Sequence, residues 1–94
     1  MEHFAEYKVP GGKLLSVRLE FGKKIEKIRI FGDFFLYPEE VINKIEKSLI
    51  GIDVNASKEK LSESISKTLA DEKAEMLGVT PDAIAHTIRM AIER

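Results

Sequence analysis

Few side chains in this 94-residue chain could act as a catalytic base or bind a metal ion. The chain has no cysteine, which excludes thiol catalysis, disulfides and the common zinc sites, and its only histidines are His3 and His86. His3 lies near the N-terminus, and helical geometry places His86 on the side of its helix away from the apolar residue Ile84. We therefore predict no metal site and no catalytic residue in this chain.

A glycine turn flanked by two lysines is the first candidate binding feature. The run Lys8-Val9-Pro10-Gly11-Gly12-Lys13 has proline and glycine where a type II turn needs them, so it predicts a hairpin. A phosphate loop would instead need glycine at Tyr7 and serine or threonine at Leu14. The two lysines and the accessible backbone amides form a candidate anion site. For these residues taken alone we favour the simpler explanation, a glycine turn with a solvated lysine.

The second candidate feature is an aromatic corner, Phe31-Gly32-Asp33-Phe34-Phe35-Leu36-Tyr37, between a strand and a helix. We predict that most of its rings pack in the core. Glycine at this point of a strand is typical of a bulge, which would leave part of the aromatic surface exposed. Asp33 is typical of an Asx turn or a helix cap.

The elements that position these motifs are predicted from hydrophobic periodicity. Alternation of apolar and polar residues predicts three strands, over residues 4–9, 13–22 and 24–32. In the third strand, Ile28 and Ile30 share one face while Lys27 and Arg29 share the other. Short turns between the strands indicate an antiparallel meander with one buried face and one face in water.

Three helices are predicted, over residues 38–50, 58–70 and 80–93. Pro38 suits the first position of the first helix, Ser57 suits the N-cap of the second, and Thr80 followed by Pro81 suits the start of the third. Strands that precede the helices, rather than alternate with them, predict an α+β fold with helices over one face of the sheet. The length fits a single domain, residues 1–94.

The charge balance argues against a polyanionic partner. The chain has 15 basic and 16 acidic residues and a net charge of -1. A basic stretch from Lys23 to Arg29 is diluted by Glu20 and Glu26, and we expect no aromatic residues among these charges on the outward strand faces. We therefore predict no nucleic-acid partner.

The chain also lacks the apolar segments that membranes require. No apolar run approaches the roughly 20 residues that cross a bilayer, so we predict no membrane partner. The first residues have neither the basic nor the apolar region of a signal peptide, so we expect a cytoplasmic protein.

In order and spacing, the motifs resemble the C-terminal domain of lipoate-protein ligases. The resemblance rests on Lys8-Val9-Pro10-Gly11-Gly12-Lys13-Leu14, then Gly32-Asp33-Phe34-Phe35, then a Pro38-Glu39-Glu40 helix start. The later Gly78-Val79-Thr80-Pro81 helix start is similar to a weaker pattern of the family. The specific part of the match covers about half of the chain.

The resemblance implies a role without catalytic residues. In that family a large domain holds lipoate and ATP, and the small domain is required to activate lipoate to lipoyl-AMP. Only the small domain is present here, which implies a free-standing accessory subunit of a split ligase of the archaeal type. It implies a heterodimer with the large catalytic subunit, indirect contact with the lipoyl-acceptor domain, and lipoate, ATP and Mg²⁺ bound in that complex.

The same resemblance indicates which residues cap the partner's adenylate site or contact the partner. They are Lys8, Gly11, Gly12, Lys13, Gly32, Asp33, Phe34 and Phe35. Phe34, Phe35 and Tyr37 are also candidate aromatic anchors of an interface. The alternative function is a free-standing protein-interaction or nucleic-acid-binding module on the same fold.

Overall fold

A computed structural model describes residues 2–11 and 13–93, and it has the α+β fold expected from the sequence. In chain order the elements are β1 (Glu2–Lys8), β2 (Leu14–Phe21), β3 (Ile25–Gly32), β4 (Phe35–Tyr37), α1 (Val41–Leu49), α2 (Lys58–Asp71), β5 (Glu75–Leu77) and α3 (Pro81–Glu93). Strands β1, β2 and β3 form the predicted antiparallel sheet; α1 and α3 pack on one of its faces, and α2 packs against both of these helices.

The register of the sheet follows the predicted alternation. Ala5, Val17 and Ile30 lie opposite one another on the three strands, and all three are buried against the helices. The residues between them point to the other face, which no helix covers in the described part of the chain. A register shift between Glu20 and Phe21 marks a bulge near the end of β2.

The core is aliphatic, which corrects the prediction that most aromatic-corner rings are buried. The largest fully buried side chains are leucine, isoleucine and valine, with Thr87 as the one polar member among them. None of the five phenylalanines and two tyrosines is buried. Phe34 is half-buried at the edge of the core, and the other aromatic residues of the corner are exposed.

Helix α1 begins later than expected. Pro38 lies before the helix, because the amide of Val41 donates to the carbonyl of Pro38 (3.1 Å) and that of Ile42 to Glu39 (3.2 Å) in i to i+3 turns. The α-helix proper then starts at Val41. A proline that precedes such a turn has the same local sequence as one at the first helical position, so the sequence does not separate the two cases.

The other helix starts are as predicted. The amide of Lys60 donates to the hydroxyl of Ser57 (3.1 Å), which caps α2, and the amide of Ala83 donates to Thr80 (3.1 Å) at the start of α3. Helix α2 ends at Asp71. No helix within residues 2–11 and 13–93 combines the length and the apolar character that a membrane span needs.

A second, two-stranded sheet was not predicted from the sequence. β4 and β5 pair antiparallel, with Phe35 opposite Leu77, Leu36 opposite Met76, and Tyr37 opposite Glu75. Strands of three residues are too short to show periodicity, and β5 follows α2 rather than another strand. We call this pair the ribbon.

Side chains and loop backbone fix the free edge of β3. The buried carboxylate of Glu46 on α1 accepts the amide of Ile30 at 2.8 Å, which satisfies an edge donor that no strand pairs. Further along, the amide of Ile25 donates to Ile52 (2.9 Å) and the amide of Gly51 donates to Ile25 (2.8 Å). These bonds tie the sheet to α1 and to the loop that follows it.

Candidate functional site

Three separate segments meet in a cleft of about 630 Å³ at one corner of the molecule. It is lined by Lys13, Gly32, Asp33, Phe34, Phe35, Leu77 and Gly78. We call it the corner cleft. It joins the start of β2, the link from β3 to β4 and the end of β5, so both sequence motifs contribute to one site.

Gly32 shapes this corner because the backbone of β2 passes directly beside it. Its φ is +149°, and a Cβ atom there would lie 2.3 Å from the carbonyl oxygen of Leu14. The same carbonyl accepts the amide of Asp33 at 2.9 Å. Only glycine permits so close an approach, and the bond then directs the chain out of the sheet toward β4.

Gly78 is a residue of the cleft that the sequence analysis used only as part of a helix start. Its φ is +95°, and an added Cβ would contact the Cγ of Lys13 (3.4 Å) and the Cα of Phe34 (3.5 Å). Leu77 was missed altogether. Both residues reach the corner through β5, whose pairing with β4 has no signal in the sequence.

Lys13 and Asp33 bring opposite charges to the corner cleft. Both side chains are exposed, and neither makes a hydrogen bond or ion pair with another residue within 2–11 and 13–93. The Asx turn or cap expected of Asp33 is therefore not formed there. The cleft presents one cation and one anion to any molecule that covers it.

The outer side of the ribbon is apolar and lies beside the cleft. Leu36 is buried, so the alternation of β4 turns Phe35 and Tyr37 outward, and they are 55% and 64% exposed. Leu77, opposite Phe35, is 59% exposed. We call these three side chains the ribbon face. Exposed large apolar residues that adjoin one another are typical of a protein-binding surface.

Two other described residues of the glycine–lysine motif do not line the corner cleft. Lys8 is exposed at the end of β1, and Gly11 has a φ of +104° in the hairpin turn with open space around it. Gly12 lies outside the described residues. Among the described residues of the first motif, Lys13 lines the cleft and the carbonyl of Leu14 accepts the amide of Asp33.

The histidines make packing contacts. The ring of His3 lies 4.5 Å from that of Phe21, and the exposed ring of His86 lies 4.7 Å from that of Tyr7, edge to face. Among the described residues, no group of three or more histidine, aspartate or glutamate side chains is arranged to bind a metal ion.

The open face of the sheet carries a second aromatic feature, which corrects the expectation of no aromatic residues among its charges. Phe4 on β1 and Phe31 on β3 point outward, with ring centroids 6.4 Å apart. The guanidinium carbon of Arg18 on β2 lies 5.7 Å from the Phe4 centroid and 5.8 Å from that of Phe31. We call these three residues the phenylalanine–arginine cluster.

Comparisons with known proteins agree on one family. Residues 2–88 match the family model described as bacterial lipoate protein ligase C-terminus. Lipoate-protein ligase A subunit 2 of Thermoplasma acidophilum is 33% identical over 78 residues, which cover 82% of this chain and 78% of that protein.

A solved structure is similar over nearly the whole chain. It comes from an archaeal lipoylation system, a bipartite lipoate protein ligase and its E2 lipoyl domain from Thermoplasma acidophilum. The TM-score is 0.75 with 30% identity, covering 95% of this chain and 96% of the other. The resemblance inferred from the motifs is thereby confirmed.

Proposed function

This chain belongs to the family of the bacterial lipoate protein ligase C-terminus, and from that membership we propose that it is the accessory subunit of a two-subunit lipoate-protein ligase. The observation that carries the proposal is the match along most of both chains to subunit 2 of such a ligase. In this proposal it forms a heterodimer with the large catalytic subunit, in the cytoplasm, and meets the lipoyl-acceptor domain only through that subunit.

The proposed task is to complete the site in which lipoate is activated to lipoyl-AMP. Adenylation brings the lipoate carboxylate and the ATP phosphates together, so a subunit that orders and closes the site favours this step most. Lipoate, ATP and Mg²⁺ are bound by the catalytic subunit, and this chain supplies a covering surface rather than a reacting group.

The corner cleft and the ribbon face support this assignment physically. Exposed apolar side chains beside the exposed charges of Lys13 and Asp33 match the usual anatomy of an interface, in which apolar anchors are surrounded by polar groups. We propose that Phe35, Tyr37 and Leu77 contact the catalytic subunit. Lys13 and Asp33 then lie at the margin of its adenylate site.

The test is to measure the two half-reactions separately. We expect this chain to raise the rate of lipoyl-AMP formation by the catalytic subunit by about 10²-fold or more, the scale of an effect on positioning. Transfer of the lipoyl group from preformed lipoyl-AMP to the acceptor domain should be unchanged. Equal adenylation with and without this chain would reject the proposed function.

The second candidate, a nucleic-acid-binding module, is favoured by the phenylalanine–arginine cluster, since exposed aromatics on a sheet can stack on bases. The same face also carries Glu2, Glu6 and Glu20, which oppose a polyanion. A gel-shift titration with single-stranded RNA at low and physiological salt decides between the two. Binding that weakens steeply with salt would favour this candidate.

A further inference from the structure

The open face of the three-stranded sheet carries exposed apolar surface. Phe4 is 39% exposed and Phe31 is 43% exposed, in positions where alternation along an antiparallel strand usually places polar residues. The core on the opposite face is complete without them, since it is built from aliphatic residues. Adjoining exposed aromatic rings are typical of a face that another molecule covers.

The composition of the phenylalanine–arginine cluster favours a protein. Arginine and aromatic residues are enriched at the energetically dominant centres of interfaces. The Arg18 guanidinium lies 5.7 Å and 5.8 Å from the two ring centroids and 3.6 Å from the Glu2 carboxylate, and these contacts restrict its position before any partner arrives. Such preordering lowers the entropy lost on binding.

Three basic side chains on this face are paired within the chain. Arg18 lies 3.6 Å from Glu2, Lys27 lies 3.9 Å from Glu20, and Arg29 lies 3.9 Å from the buried Glu46. A nucleic acid requires unneutralised cations along its path, and this face does not present a row of them. The paired charges instead form a polar rim around an apolar centre.

The cluster is continuous with the surface proposed above. Phe31 lines a cleft of about 230 Å³ together with Phe34 and Phe35, so the sheet face and the ribbon face adjoin along one side of the molecule. Leu14, which is 38% exposed, lies at the corner, because its carbonyl accepts the Asp33 amide. A partner that binds the ribbon face can therefore extend its contact onto the sheet face.

The ribbon face alone is too small for a stable complex. An aromatic side chain offers about 150–250 Å² in total, so three residues little more than half exposed contribute roughly 300 Å². A standard interface buries about 800 Å² on each partner. The phenylalanine–arginine cluster and Leu14 adjoin the ribbon face and supply further area for an interface.

From these observations we propose that the open sheet face, centred on Phe4, Arg18 and Phe31, is the second half of the docking surface for the catalytic subunit. This inference rests on the proposed function, because it takes the same partner and extends its contact beyond the ribbon face. The partner covers the sheet face with a largely apolar patch whose charge is low.

Fluorine NMR of the intact chain tests the proposal directly. All five phenylalanines are replaced with 4-fluorophenylalanine, and each signal is assigned from a single phenylalanine-to-leucine variant. On addition of the catalytic subunit, the Phe4 and Phe31 signals should shift or broaden. The Phe21 signal should change least, since that ring packs against His3 away from the cluster.

Affinity measurements give the second readout. Phe31→Ala and Arg18→Ala should each weaken the complex by at least about tenfold, as residues at the centre of an interface do. Lys27→Ala is the matched control, because Lys27 lies on the same face but in an exposed ion pair, and it should change the dissociation constant less than about threefold. Circular dichroism confirms that each variant is folded.

The possible results separate this inference from the proposed function. Suppose that the complex forms and that Phe35→Ala weakens it, but the Phe4 and Phe31 signals do not change and neither cluster variant alters the dissociation constant. The sheet face is then not an interface, and the accessory role stands. If no complex forms, both proposals fail. If the Phe4 and Phe31 signals respond to the chain's own concentration or to RNA instead, a second copy or a nucleic acid is the occupant and this inference is overturned.

Discussion

At Gly32 the chain leaves the sheet with a positive φ while its Cα lies against the backbone of β2, and both constraints act on one residue. At Gly11 only the first applies, since φ is also positive but the space around it is open. A side chain added at Gly11 would therefore strain only the backbone, whereas one added at Gly32 would also clash with β2. The two glycines also differ in what they position, because only Gly32 belongs to the corner cleft.

We predict that Gly32→Ala lowers the free energy of unfolding by about 2–4 kcal/mol, because the new methyl group forces β2 and β3 apart in addition to straining the backbone. Gly11→Ala, the matched control, should cost about 1–2 kcal/mol from strain alone. Urea denaturation followed by circular dichroism measures both. Equal losses for the two variants would show that the contact with Leu14 has no energetic role.

At this scale the sequence indicated some site residues and not others. Gly32 and Asp33 were selected through the resemblance to the ligase family, because by themselves they are typical of a bulge and of an Asx turn or cap. The sequence does not show which residues surround Asp33. Lys13 and Gly78 line the same cleft only because tertiary packing brings their segments together. The exposure of the aromatic rings follows from an aliphatic core that filled without them.

Among the elements, α3 is hydrogen-bonded through Arg89 to the loop between α1 and α2. The guanidinium of Arg89 donates to the carbonyl oxygens of Val54 and Ala56 and lies 3.2 Å from the carboxylate of Glu93. The loop in turn continues the hydrogen bonding at the edge of β3. Arg89 thus connects the last helix to the sheet indirectly.

We predict that Arg89→Ala lowers the free energy of unfolding by about 1–3 kcal/mol, because two loop carbonyls lose a charged donor. Amide hydrogen exchange should become faster in residues 52–57, while the strands keep their protection. Glu93→Ala removes only the exposed ion pair and should change stability by less than about 0.5 kcal/mol. Unaltered exchange in the loop of the Arg89 variant would contradict this assignment.

The elements were predicted from the sequence wherever a local signal exists. Capping residues and proline located the starts of α2 and α3, and alternation located all three long strands. The ribbon escaped prediction because each of its strands has three residues and its stability comes from pairing across a large sequence separation. This omission matters for function, since the ribbon carries most of the exposed apolar surface near the corner.

For the whole molecule, the distribution of charged and apolar residues indicates whether charge attraction or apolar burial stabilises a complex. The chain has a net charge of -1, and Arg18 and Lys27 on the sheet face are paired with acidic residues. Apart from Ile50 after α1, the exposed large apolar residues lie on the sheet face, the corner and the ribbon. We propose that residues 1–94 act as one domain, in which the apolar surface and not a charged field attracts the catalytic subunit.

This distribution predicts a complex that depends little on salt. The dissociation constant for the catalytic subunit should change less than about threefold between 50 and 500 mM NaCl, since screening acts on exposed charges and leaves apolar burial in place. Isothermal titration calorimetry measures it and should show the negative heat-capacity change of apolar burial. Asp33→Asn leaves Lys13 unbalanced at the corner and should introduce a measurable salt dependence. A loss of tenfold or more in the unmodified protein would mean that charge, and not apolar burial, dominates docking.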